Sequence, residues 1–315
     1  MGKMKPLYDN IKLNCTIVSD THIDEKHPFP WLPPWRLKLA LKDSKNSGAP
    51  VDVFLTVGDT TSRGSDINWK MTKECFDKVP NAAKKIILPI GNHDGWNDDG
   101  FDAAIKNYCK YYELICGDKR ENPYFSYVIN GYHMIFLGTD SDSGCDAAIS
   151  DEQIAWFTSE MEKAGESGKP IFVFCHQSLN QKHGLPKTWD RDEDYTNLSD
   201  GGIGERSDEI EKILKSQKNV YYFSGHSHMG LGGEKCFKEN GYASFEKEGE
   251  LNLINLPSLA CGNHHGENKA FCVGVQLEVY DDKVVIRPRS FKFRRWVTAV
   301  AIKNGKPYLE EKISR

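Results

Sequence analysis

The chain has 315 residues, with 41 Lys and Arg against 45 Asp and Glu and 11% aromatic residues, the makeup of an ordinary globular protein rather than a disordered or fibrous one. No apolar run reaches the roughly 18 to 20 residues of a membrane span, so no membrane partner is expected, and the net charge of −4 argues against a duplex-DNA binder, which carries a basic face. The nine cysteines are scattered without a Cys-x-x-Cys pair and no signal peptide is legible, which together predict reduced thiols and a cytoplasmic location.

Along the chain, apolar runs of strand length end abruptly in polar clusters. Cys15 to Ser19 runs into Asp20-Thr-His22, Val51 to Val57 into Gly58-Asp59, and Lys85 to Ile90 into Gly91-Asn-His-Asp94. Ile171 to Cys175 then runs into His176, and Val220 to Ser224 into Gly225-His-Ser-His228. Between them, Trp35 to Ser44, Ile67 to Lys78, Phe101 to Leu114, Ser150 to Lys163 and Arg206 to Ser216 carry apolar residues at helical spacing. Ser150 with Gln153 is a capping-box signature. Strands alternating with helices predict an α/β core with largely parallel pairing, and in such sheets ligands gather beyond the carboxyl ends of the strands, where every polar cluster lies. Leu251 to Leu256, Phe271 to Val279 and Val284 to Arg289 read as further strands, the last two joined by a hairpin turn at Asp281-Asp282. One domain over residues 1–315 is expected, with 251–315 as its closing β-rich part.

The donors at the five strand ends are Asp20, His22, Asp59, Asn92, His93, Asp94, His176, His226 and His228. Carboxylate and imidazole without thiolate suit Fe, Mn or Zn rather than a structural zinc site. Asp20 and His22 flank one residue where the chain leaves a strand, so both can turn to one ion, and His226 with His228 repeats the spacing. Asp59 can bridge two ions with its two oxygens. One Asp-x-His is expected about once by chance in a chain with 24 Asp and 10 His; the information lies in all five clusters falling at strand ends in this order.

Asp20-Thr-His22, Gly58-Asp59, Gly91-Asn-His-Asp94, the lone His176 and Gly225-His-Ser-His228 together resemble the calcineurin-like metallophosphoesterases over residues 15–228. The resemblance implies a four-layer α/β/β/α sandwich, two mixed β-sheets flanked by helices, with a binuclear centre of divalent or trivalent transition-metal ions. It further implies Asp20, His22, Asp59 and His228 around one ion, Asp59, Asn92, His176 and His226 around the other, and His93 assisting the leaving group. Two such ions neutralise phosphoryl oxygens and acidify a bridging water, whose hydroxide attacks phosphorus in line. The expected activity is hydrolysis of phosphoric esters, in the first place of a small phosphodiester such as a nucleotide; a phosphomonoesterase, or a metal-bound interaction module, is the alternative. No oligomeric state is legible.

In the protein Ser/Thr phosphatase branch the second motif reads Gly-Asp-x-x-Asp-Arg-Gly, the second Asp orienting the catalytic His. Here Gly58-Asp-Thr-Thr-Ser-Arg-Gly64 places Ser62 there, which puts the contact that orients His93, and with it a protein-phosphatase reading, in doubt. Arg63 is a candidate phosphate ligand, and His183 and His264, the latter within Asn263-His264-His265, are candidate substrate residues. Trp96, Trp189 and Tyr195 could stack on a base or simply anchor loops. Gly201-Gly-Ile-Gly204 reads as an anion-binding turn or a plain helix entry. The basic run Arg287 to Arg295 reads as a contact for single-stranded nucleic acid or as an edge strand guarded by cations.

Overall fold

The computed structural model describes residues 2–185, 188, 201–232, 241–259, 272–297 and 309–313. The first half alternates as expected: β1 (Leu13–Val18), α1 (Leu32–Lys45), β2 (Val53–Thr56), α2 (Asp66–Lys78), β3 (Lys85–Ile87), a 3-10 turn at His93–Gly95 and α3 (Phe101–Cys116). Helix α1 begins earlier than its apolar spacing predicts because Pro33 and Pro34 occupy its first turn, where the missing N–H groups have no helical partner to lose. There follow β4 (Phe125–Ile129), β5 (Tyr132–Phe136), α4 (Asp151–Glu166), β6 (Ile171–Phe174), α5 (Ser207–Lys215) and β7 (Val220–Ser224). The chain closes with β8 (Phe245–Glu248), β9 (Leu251–Asn255), β10 (Val273–Val279), β11 (Lys283–Ser290), β12 (Arg295–Trp296) and β13 (Leu309–Lys312).

These strands make two mixed sheets, β12-β11-β10-β1-β2-β3 with β13 also on β11, and β4-β5-β6-β7-β9-β8. The period-2 alternation of side chains assigns the layers. On β6 and β7, Phe172, Phe174, Tyr221 and Phe223 join the core shared with the first sheet, whereas Ile171, Val173, Val220 and Tyr222 pack with Phe157 and Met161 of α4 and Ile210 and Leu214 of α5. Phe54 of β2 meets Phe76 of α2 on the opposite outer face. The result is the expected four-layer α/β/β/α sandwich.

Across the second sheet runs one ladder of phenylalanines. Phe125, Phe136, Phe174 and Phe223 are direct register partners on β4, β5, β6 and β7. Their rings stack in sequence with centroids 4.8, 4.9 and 5.0 Å apart. Stacked cross-strand aromatics add to burial and pin register, and here they do so immediately before His176 and His226.

Three local readings change. The β4–β5 hairpin is absent from the sequence expectation although its turn, Asn130-Gly131, has both residues at positive φ (52° and 80°), the conformation an Asn-Gly two-residue hairpin favours. Ser150 caps α4 as predicted, its hydroxyl accepting from the Gln153 N–H. The reciprocal half of the capping box is missing, because the Gln153 amide bonds the Gly138 N–H and carbonyl and Asp140. Finally, β11 lies between β10 on one side and β12 and β13 on the other, so it is not a cation-guarded edge. Nor is its basic run a free surface: Arg287 is buried against Glu278 with its guanidinium 3.6 Å from the Trp296 ring centre, and Arg289 is buried against Asp43 at 2.7 Å.

Phe174→Ala removes the middle of the ladder and should cost about 3–5 kcal/mol of stability. Denaturant unfolding checks this; a loss below about 1 kcal/mol would mean that the ladder does not hold the sheet.

Candidate metal centre

The donors stand where strands turn out of the two sheets. Asp20 and His22 follow β1, Asp59 follows β2, Asn92 and His93 follow β3, His176 follows β6, and His226 and His228 follow β7. Asp20, His22, Asp59, His226 and His228 all have positive φ, between 47° and 67°. For residues with a Cβ this left-handed region is costly, and such strain persists where the surroundings enforce it, characteristically at functional sites. The repeated left-handed step bends each chain end over the sheet edge and turns the side chains on either side of Thr21 and of Ser227 into one cleft.

Two donor groups result. Ligand atoms of Asp20, His22, Asp59 and His228 lie within 4.8 Å of one another, as do those of Asp59, His176 and His226. His228 Nε2 is 3.2 Å from Asp20 Oδ1 and 3.0 Å from His22 Nε2, and His176 Nε2 is 2.9 Å from Asp59 Oδ2. Donors about 2.0–2.2 Å from a transition metal stand roughly 3 to 3.5 Å from each other, so these separations fit ions at both places. Asp59 belongs to both groups: its Oδ2 is 3.6 Å from His22 Nε2 and 2.9 Å from His176 Nε2, while Oδ1 accepts from the His93 N–H at 2.9 Å.

Asn92 is 4% exposed, and neither atom of its amide has a hydrogen-bond partner. An orphaned buried amide is costly, and a cation at its oxygen relieves half of that cost. His176 Nδ1 is 2.7 Å from the Val57 carbonyl, so Nδ1 carries a hydrogen and Nε2 is the ring atom turned to the cleft, the outer-shell contact typical of ligating histidines. The motif glycines make room for this convergence. At Gly58, with φ 75°, a Cβ would stand 2.6 Å from the His176 ring, and at Gly91 one would stand 2.2 Å from Asp59 Oδ1.

Electrostatics divide the donors. Burial opposes ionisation of Asp20, but the neighbouring His176 and His228 outweigh it and hold the carboxyl at about 2. Burial pushes His22 down to about 3 and His226 well below its ordinary value, so both rings are neutral. His176 goes the other way: burial lowers it, yet the Asp59 and Asp20 charges lift it to about 9.

The remaining candidates separate. His93 stands beside the cleft, its ring 4.7 Å from that of His22 and its Nδ1 3.0 Å from the Ser62 carbonyl. The orienting contact that Ser62 put in doubt is thus made by that residue's backbone. Trp96 covers the other side of the His93 ring at 3.9 Å and is itself held by a bond from its indole N–H to the Gly144 carbonyl. Arg63 is on the same loop, exposed, and paired with Asp98 at 2.8 Å. His183 is buried outside both donor groups, with Nδ1 on the Ala243 carbonyl and its N–H on Glu246. The Gly201–Gly204 turn is not an anion cradle, because the N–H groups of Ile203 and Gly204 are taken by the Ser178 carbonyl and the Asn180 side chain. Trp189, Tyr195, Asn263, His264 and His265 lie outside the described residues.

Asp94 leaves the donor set for a different task. Its carboxyl accepts from the N–H groups of Gly91, Thr60 and Thr61 and from the Thr61 hydroxyl, buckling the Asp59 loop to the Asn92 loop. Burial, with the Asp59 charge added, pushes it up to about 7. The four donors became visible only in three dimensions.

Asp94→Asn turns an amide NH2 towards backbone donors and should cost about 2–3 kcal/mol in denaturant unfolding; an unchanged midpoint would dismiss the buckle. Without a metal ion, His176 holds a proton below about pH 9 that an ion at Nε2 displaces. Affinity for Mn2+ should therefore rise about tenfold per pH unit towards that value and level off above it, with proton release measurable by calorimetry in two buffers. A flat profile would remove His176 from the ligands.

A search of curated proteins finds no match. Among solved structures, the chain is similar to a dimetal phosphatase from Danio rerio, with 11% identity and a TM-score of 0.60 over 97% of this chain and 100% of the other. It is also similar to a purple acid phosphatase from yellow lupin (Lupinus luteus) seeds, with 11% identity and a TM-score of 0.60 over 90% of this chain and 52% of that one. These likenesses concern the fold. The family model for calcineurin-like phosphoesterases matches residues 13–230, from the first residue of β1 to just beyond His228, and therefore takes in both donor groups. The chain belongs to the calcineurin-like phosphoesterase family and is a metal-dependent phosphoesterase.

Proposed function

We propose that the chain hydrolyses small phosphodiesters such as nucleotide diesters, with Asp20, His22, Asp59 and His228 holding one ion and Asp59, Asn92, His176 and His226 the other. The observation that carries the metal assignment is the pair of buried donor groups sharing Asp59. Fe, Mn and Zn all suit this oxygen and imidazole set. Bound there, two ions supply Lewis acidity at the phosphoryl oxygens and lower the pKa of water towards neutrality. The chain's own residues supply the rest. A water oxygen bonds to phosphorus as the ester P–O bond breaks; the departing oxygen takes its proton from His93 Nε2, the proton the water gives up goes to solvent, and solvent reprotonates the ring, which the Ser62 carbonyl holds through Nδ1. Trp96 on the far face of that ring limits its tilt.

Arg63 bears on the choice between diester and monoester. A monoester brings a second negative charge to the site, yet this arginine is already committed to Asp98. A singly charged diester needs no further cation, which favours the diester reading. The thiols of Cys15, Cys75, Cys109, Cys116, Cys175 and Cys272, none of them in a disulfide, are in keeping with a reducing, cytoplasmic setting.

The test is hydrolysis of an aryl phosphodiester beside the matching monoester by Mn2+-loaded protein. Diester turnover should exceed monoester turnover and fall by more than about a hundredfold in Asp59→Asn, a larger loss than outer-shell changes cause. Preference for the monoester would overturn the diester reading. Failure on both substrates with two ions bound would favour an interaction module.

A further inference from the structure

Outside the metal centre, the segment from Lys26 to Lys45 departs from the rest of the chain in two ways. It holds five cations, Lys26, Arg36, Lys38, Lys42 and Lys45, and one acid, Asp43, in a protein whose net charge is −4. That acid is buried and satisfied by Arg289 and Arg294. The segment also holds large apolar side chains in the open: Phe29 is 57% exposed, Trp31 62% and Trp35 37%. Their rings form a chain, Phe29 to Trp31 and Trp31 to Trp35 each with centroids 6.5 Å apart.

Helix geometry joins the two features. Trp31, Trp35, Lys38, Lys42 and Lys45 follow one another at spacings of four, three, four and three residues, which is one face of α1 and its N-terminal cap. Opposite that face, Leu37, Ala40 and Leu41 are buried in the core. The outer face is therefore aromatic at its start and purely cationic beyond. Phe293, 46% exposed, extends it from the turn whose Arg294 reaches Asp43. Just before the aromatic end, Glu25 N–H bonds Asn68 of α2, and Lys26 approaches Asp98, the partner of Arg63, at 3.8 Å.

We propose that this face docks the protein on an anionic lipid surface. Trp and Phe are the side chains that settle at the headgroup boundary, and lysines on the same face answer anionic headgroups. The charge sign selects this occupant, since a second copy would bring identical lysines against these. The expectation of no membrane partner rested on span length, and among the described residues no helix is long and apolar enough to cross; lying on a surface needs no span.

The experiment is co-sedimentation of the full chain with vesicles of phosphatidylcholine alone or with phosphatidylserine added. Binding to the anionic vesicles only, weakening as salt rises, is the expected result. Phe29→Ser with Trp31→Ser should lower partitioning at least tenfold, as should the separate pair Lys42→Glu with Lys45→Glu, whose exposed sites do not challenge folding. Aryl ester hydrolysis in solution should be unchanged in both, which separates this inference from the catalytic reading. No binding, equal binding to both vesicles, or a dimer in solution that the Trp31 variant dissolves would each overturn the proposal.

Discussion

Two carboxylates and four imidazoles converge on one cleft, and that crowding of like donors is the constraint around which the fold is arranged. Asp20 and Asp59 are fully buried, and burial works against the charge of each. In the bare chain His176 supplies the counter-charge by keeping its proton, whereas His22 and His226 are forced neutral. A site that stabilises one proton so firmly while leaving the Asn92 amide orphaned is electrostatically prepared for cations.

Reaching that density requires backbone as well as side chains. Strand ends alone would fan their residues apart, and the left-handed residues after β1, β2 and β7 turn them back. Relative height is set from behind. Phe174 and Phe223 stand opposite each other in the ladder, two residues before His176 and three before His226. A slip of one residue would exchange their inner and outer faces and carry one imidazole out of the cleft. The Asp94 carboxyl does comparable work in the first sheet, fixing the Asp59 and Asn92 loops to each other. Packing far from the chemistry thus determines where the donors meet.

Most of this was legible because the signals are local. Apolar runs ending in Asp, His or Asn identified the strands and the donors together, and even the order of the clusters carried information. What escaped depends on partners distant in sequence. The shared core of the two sheets, the buckle at Asp94 and the pairing of Arg289 with Asp43 have no mark in the one-dimensional pattern. Arg287 and Arg289 looked like surface because nothing in the local pattern names Glu278 and Asp43 as their counter-ions. The β4–β5 hairpin is the exception, since Asn130-Gly131 between two alternating runs is a strong turn signal. Ser62 marks the opposite limit: the side chain suggested a lost contact, while the backbone made it.

Each donor group draws on both sheets. Asp20, His22 and Asp59 meet His228, and Asp59 meets His176 and His226. A cation in either place therefore closes a loop of more than a hundred residues and rivets the two layers together. Separating the layers destroys both coordination shells at once, so metal concentration acts on the seam of the sandwich by mass action. The same ions that serve catalysis would then set how long the molecule survives, and a cell short of metal would lose the protein as well as its activity.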